Sequence, residues 1–118
     1  MLVSDTKMLE DVVEEIPRQA ATLMRRFWPG PLTIVLRARP TVSRLLTGGG
    51  DGIGVRVSSH PIATALVWAL GRPLTTPSAN PAGLRPPTRL DEARAYFGDR
   101  VDAYVDGGLL SGDRKSVV

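Results

Sequence analysis

The residues best placed to do chemistry sit in three short stretches. In TTPSANPAG, residues 75–83, two prolines bracket Ser78 and Asn80, a hydroxyl and a carboxamide two positions apart. Proline fixes its own φ, so both side chains are carried on a stiff backbone. Two readings stand on the residues alone. Ser-x-Asn makes a turn, since both side chains bond nearby backbone groups, or it presents two uncharged polar groups to a ligand. In GVRVS, residues 54–58, Arg56 lies inside a short apolar run. It must point to solvent or meet an anion, because burying it unpaired is costly. The third stretch, GGGDGIG at 48–54, lacks the lysine and the serine or threonine of a P-loop and precedes a strand. It is expected to be loop, and it fails as a phosphate cradle of that type.

Other chemistries find little support. There is no cysteine and one histidine, His60, so thiolate sites and zinc clusters have no ligands to draw on, and no metal ligand is assigned. His60 reads instead as a polar residue at a helix start. No Ser-His-Asp or Cys-His arrangement follows from the spacing, and no carboxylate pair stands out for acid–base work. No catalytic side chain is therefore assigned. Any reaction here would be driven by positioning and charge neutralisation.

The elements that must carry these residues alternate along the chain. Ser4 or Asp5 caps a short helix with Met8, Leu9, Val12 and Val13 on its apolar side. Pro17 opens a second helix, with Ala20, Leu23, Met24 and Phe27 along one face. WPGP, residues 28–31, stops it. LTIVLR, residues 32–37, is rich in β-branched residues and reads as a strand. A helical turn at 42–46 and the glycine loop lead to the GVRVS strand. Ser59 is expected to cap the next helix, Pro61 sits in its first turn and Gly71 ends it. Residues 62–70 of that helix are apolar almost all round, which predicts burial. PLTT at 73–76 reads as a strand, Thr88 and Asp91 as caps of a last helix through Phe97, and residues 102–105 as a further strand. The final SVV is strand-like. This alternation predicts a mixed α/β (α+β) fold with helices packed on a sheet.

The totals fit one globular domain. The chain has 118 residues, of which 42% are apolar and 23% charged, a balance far from that of disordered chains. No apolar run approaches the ~18 residues of a membrane span, so no membrane partner is expected, and no secretory signal opens the sequence. Absence of cysteine fits a reducing, cytoplasmic setting. Residues 1–36 carry a net charge of −1 and residues 37–118 a net of +4, with arginine supplying nearly all the positive charge. Arginine suits planar, bidentate contact with phosphate or carboxylate.

FWPGPLT (27–33), VRVSSHPIA (55–63), TTPSANPAG (75–83) and YVDGG (104–108), in that order, closely resemble the YrdC-like family, the threonylcarbamoyl-AMP synthases. The likeness runs through essentially the whole chain, from SDTKMLEDV to KSVV. It implies a twisted open mixed sheet with helices on its faces and a concave, positively charged cavity. It also implies an activity, the joining of ATP, L-threonine and bicarbonate into threonylcarbamoyl-adenylate and pyrophosphate for t6A modification of tRNA. ATP would be a substrate, accompanied by Mg2+. By the family motifs, Ser78 and Asn80 would meet nucleotide phosphate. Arg56 would meet the carboxylate of threonine or a nearby phosphate, and Ser116 would touch threonine.

The chain departs from the family pattern in places. Residues 1–118 correspond to the C-terminal portion of the domain, and about half a domain, by ordinary domain sizes, would precede them. The threonine-pocket segment and the K-x-R motif belong to that part. Lys7 and Lys115 are the only lysines here. Lys115 replaces the serine usual before Ser116, and Ser58 stands where proline is common. These departures leave an alternative, a non-catalytic domain binding nucleotide, tRNA or double-stranded RNA. They also predict uncovered apolar surface and a homo-oligomer.

Overall fold

The computed structural model of the chain describes residues 1–108. Lys115, Ser116 and the expected SVV strand lie outside the described residues. The chain divides into two compact units, one over Met1–Thr76 and a second beginning at Pro77.

The first unit is built around a small mixed sheet. Helix α1, Thr6–Leu9, starts at Asp5, whose carboxylate accepts the Met8 N–H at 2.8 Å. Helix α2, Arg18–Phe27, begins immediately after Pro17. Strand β1, Ile34–Arg37, pairs antiparallel with β2, Gly52–Val55, in the register Ile34 to Val55 and Arg37 to Gly52. Between them, Ser43 caps the four-residue helix α3, Arg44–Thr47, by accepting the Leu45 N–H. Residues 1–3 extend the sheet. Leu2 bridges Arg56 in parallel and Leu74 antiparallel. The Leu2–Leu74 pair exchanges two backbone hydrogen bonds of 2.8 and 2.9 Å. With parallel and antiparallel contacts around one core, the expected α+β class holds.

That core follows from the pattern. β1 alternates buried and exposed, with Ile34 and Leu36 inward. They pack with Val3, Leu9, Val13, Met24, Ile53 and Val55, which accounts for the short first helix and for one stripe of α2. Two expected members of that stripe, Leu23 and Phe27, are instead exposed. The glycine-rich stretch is not all loop, since Gly52 and Gly54 belong to β2. A Cβ at either would stand 3.1 Å from a side-chain carbon of Val35 or Thr33, so the close cross-strand approach favours glycine there. PLTT forms a bridge at Leu74 rather than a strand, consistent with Pro73, which has no N–H to donate.

Helix α4, Pro61–Leu70, corrects a second expectation. Its sequence is apolar on every side, yet Val67 is its one buried residue, and Leu66, Trp68 and Leu70 are 46, 61 and 51% exposed. Apolar composition marks a surface that burial would favour; it does not supply the neighbour that buries it.

The second unit contains helix α5, Leu90–Phe97, followed by a single 3-10 turn at Gly98–Arg100. None of the buried apolar residues falls within 77–108. Side-chain bonds tie this unit together instead. Tyr96 Oη donates to the Arg85 carbonyl at 2.9 Å, Thr88 Oγ1 to Glu92 Oε1 at 3.0 Å, and Tyr104 Oη to the Gly98 carbonyl at 2.7 Å. Residues 102–105 form no strand. Tyr104 is packed under the Arg94 guanidinium, 4.7 Å from the ring centre, a cation–π contact.

Candidate functional site

Arg56 follows directly on β2, and the parallel bridge to Leu2 fixes its backbone. Its N–H donates to the Met1 carbonyl at 3.0 Å and its carbonyl accepts the Val3 N–H at 3.0 Å. The side chain is 5% exposed, and Nη2 is buried with no hydrogen-bond partner. Among the described residues no carboxylate forms an ion pair with it. Burial pushes its pKa down, the expected response of a cation that has lost water without gaining an anion. The α-amine of Met1, half-buried and donating to the Gly54 carbonyl at 3.0 Å, is likewise pushed down, first by burial and then by the Arg56 charge. The residue after β2 is thus a buried guanidinium with an unsatisfied Nη2.

Immediately downstream, Ser58 is buried and does work that the sequence did not reveal. Its Oγ accepts the His60 N–H at 3.0 Å, and its carbonyl accepts Thr64 Oγ1–H at 3.0 Å. His60, not Ser59, is the N-cap of α4, with Nδ1 accepting the Ile62 N–H at 3.2 Å. Serine two residues before a helix cap was the available signal for this small turn.

Ser78 and Asn80 belong to the second unit. Ser78 is exposed and Asn80 partly buried. Asn80 Nδ2 donates to two backbone carbonyls, Pro81 at 3.1 Å and Leu84 at 2.9 Å, while Oδ1 is buried without a partner. Of the residues singled out from sequence, Arg56 and Asn80 are thus the two that carry buried polar atoms left unsatisfied. Such atoms are uncommon in native proteins and mark places where a ligand, water or ion completes the bonding. Ser116 lies outside the described residues.

A concavity of about 490 Å3 opens in the first unit, lined by Met24, Trp28, Val57, Asp5, Arg25 and neighbouring residues. It contains none of the sequence-derived site residues. Trp28 is fixed on its wall by Nε1 donating to the Leu32 carbonyl at 2.8 Å. Among the described residues no group of three or more His, Asp or Glu could hold a metal ion.

The Sua5/YciO/YrdC sequence pattern, described as "Telomere recombination", matches residues 1–118. The chain belongs to this family. A threonylcarbamoyl-AMP synthase of Halorhodospira halophila is 39% identical over 109 residues, covering 92% of this chain and 57% of that protein. The synthase of Escherichia coli K12 is 47% identical over 94 residues, covering 80% of this chain and 46% of that protein. Among solved structures, Pyrococcus abyssi Sua5 complexed with L-threonine superposes with a TM-score of 0.88 at 38% identity. It covers 92% of this chain and 32% of that one. Escherichia coli YciO gives 0.68 at 34% identity, over 91% of this chain and 52% of that one. The chain spans just over half the length of the first of these relatives and less of the others. As a Sua5/YciO/YrdC member it shares their fold over the matched part, and the motifs holding Arg56, Ser78 and Asn80 lie within the matched family pattern.

Proposed function

We propose that this chain carries part of the substrate site of a threonylcarbamoyl-AMP synthase, a cytoplasmic enzyme serving t6A modification of tRNA. The threonine amine would bond to the bicarbonate carbon, a C–O bond of bicarbonate breaking with loss of water to leave the carbamate. An oxygen of the resulting carbamate then attacks the α-phosphorus of ATP, the bond to the β-phosphate breaks, and pyrophosphate leaves. The observation that carries this reading is the buried guanidinium of Arg56, unpaired at Nη2. It supplies a fixed positive charge for the threonine carboxylate or a neighbouring phosphate, in a setting where water competes little. Ser78 would offer its exposed hydroxyl to nucleotide phosphate, on the loop that Asn80 also shapes. Mg2+ would accompany the ATP phosphate oxygens.

Calorimetric titration of L-threonine, with and without ATP, into the chain and its Arg56→Met variant tests the assignment. Saturable threonine binding that the variant loses is the expected result. Equal affinity in both would remove Arg56 from the site.

A second reading, anion binding without catalysis, draws on the charge of the first unit. Residues 1–76 hold nine Lys or Arg against six Asp or Glu, and Arg18, Arg25 and Arg26 are exposed on α2. A tRNA or double-stranded RNA held this way would be read by backbone and shape. Its affinity must fall steeply as salt rises.

A further inference from the structure

Two features of the first unit complement each other, and the proposed reaction uses neither. One is the concavity of about 490 Å3, whose apolar lining is Ile16, Ala21, Met24, Trp28, Pro29 and Val57. Met24 belongs to the buried core, and Trp28 and Val57 pack against it, so the socket is held by close-packed side chains. Its polar lining includes Asp5. Oδ1 of that carboxylate accepts the Met8 N–H, and Oδ2 is left as an acceptor.

The other feature is Trp68 of α4, 61% exposed. The residues that share its side of the helix, four and three positions earlier, are Thr64 and Ala65. Both are small, and Thr64 Oγ1 is turned into the chain, donating to the Ser58 carbonyl at 3.0 Å. The indole therefore projects alone from a low surface. No residue of Pro61–Leu70 is charged, so pressing this side against another surface strips no ion of its water. An indole also brings one N–H that needs an acceptor when buried, which the Asp5 carboxylate can supply.

The chain does not fill its own socket. Trp68 is absent from the lining of the concavity, and Val67, which anchors α4, is buried outside the core cluster that holds Met24. Knob and socket are thus separate patches, and a contact between unlike patches repeats from copy to copy.

We propose that the Trp68 indole of one copy enters the concavity of a second copy, so that the chain associates head to tail. The inference is independent of the role given to Arg56. A single indole buries about 150–250 Å2, well under the roughly 1,200 Å2 at which stable interfaces begin. The association is accordingly weak and reversible, populated at high protein concentration.

Sedimentation velocity of the parent, of Trp68→Lys, of Ala21→Phe and of an equal mixture of the two variants tests this. Trp68→Lys removes the knob, and Ala21→Phe fills the socket with the chain's own ring. The parent should grow past a dimer as concentration rises, and each variant alone should stay monomeric. The mixture should form a 1:1 dimer that grows no further, because one variant keeps only a socket and the other only a knob. Free indole added to Trp68→Lys should shift the Met24 methyl resonance saturably.

Association that survives Trp68→Lys, or a parent that stops at a closed dimer, would overturn the head-to-tail contact. So would a monomeric mixture of variants that both keep the parent's circular dichroism. Should Ala21→Phe fail to fold, the indole titration decides alone, and no saturable shift at Met24 would overturn the socket.

Discussion

Arg56 shows how far a single residue can be read. An arginine in a short apolar strand has two outcomes, solvent or an anion, and its 5% exposure with an unpaired Nη2 removes the first. Because no carboxylate among the described residues pairs with the buried charge, replacing it by an apolar side chain of similar length should not harm the fold. Arg56→Met is expected to match or exceed the parent in unfolding free energy, by 0 to about 3 kcal/mol, while losing anion binding. Urea unfolding of both proteins checks this, and a clear loss of stability would mean that the guanidinium is structurally paired. The helix-start role of His60 was legible from the lack of any cysteine or second histidine to make it a metal ligand, although the cap itself was expected at Ser59. The roles of Ser58 and of the Asn80 amide were not. Both depend on which backbone groups fold back onto them, a matter of tertiary geometry that residue type leaves open.

At the scale of elements, the sequence marked helices and β1 well because proline, glycine and apolar spacing act locally. Predicted boundaries moved by a residue or two, as at Pro17 and His60. It marked the edges of the sheet poorly, because a strand exists only where a partner pairs with it. Residues 102–105 have the composition without the pairing. Gly30 offers a sharp test of the WPGP stop. It is buried, its N–H donates to the Val57 carbonyl at 2.9 Å, and a Cβ there would collide with the Phe27 carbonyl oxygen. Gly30→Ala should cost about 1–3 kcal/mol, seen as a lowered denaturation midpoint; an unchanged midpoint would show that the turn relaxes freely. The Met1 segment carries a pH signature. Its amine has a folded pKa below the ordinary value of about 8, owing to burial and to Arg56. Between those two values the unfolded chain binds more protons, so stability should rise with pH across that window and level off above it. Unfolding midpoints from pH 6 to 9 give the sign, and a fall across the window would contradict it.

For the molecule as a whole, the α+β class was legible because helical and strand periods alternate along the chain. The division at Thr76 and Pro77 was not, since no linker composition marks it. What changes there is energetic. Among the described residues the buried apolar ones all lie in the first unit, and the described part of the second is held largely by side-chain bonds to backbone and by ion pairs around Glu92. The exposed apolar residues of α4 are a whole-molecule matter too, because Leu66 and Leu70 on one side of the helix and Trp68 on the opposite side are surface that water disfavours. We expect the chain to self-associate through it. Sedimentation velocity at rising concentration should show a dimer or larger species that Trp68→Lys shifts to monomer, whereas a monomer at all concentrations would contradict this.

We propose that Arg56 and the Ser78–Asn80 loop serve adenylation of a threonine carbamate. Pyrophosphate release from ATP, measured with threonine and bicarbonate together and with each omitted, tests it most directly. Release that requires both co-substrates and disappears in Arg56→Met is the predicted result. Release indifferent to threonine, or retained in full by Arg56→Met, would contradict it.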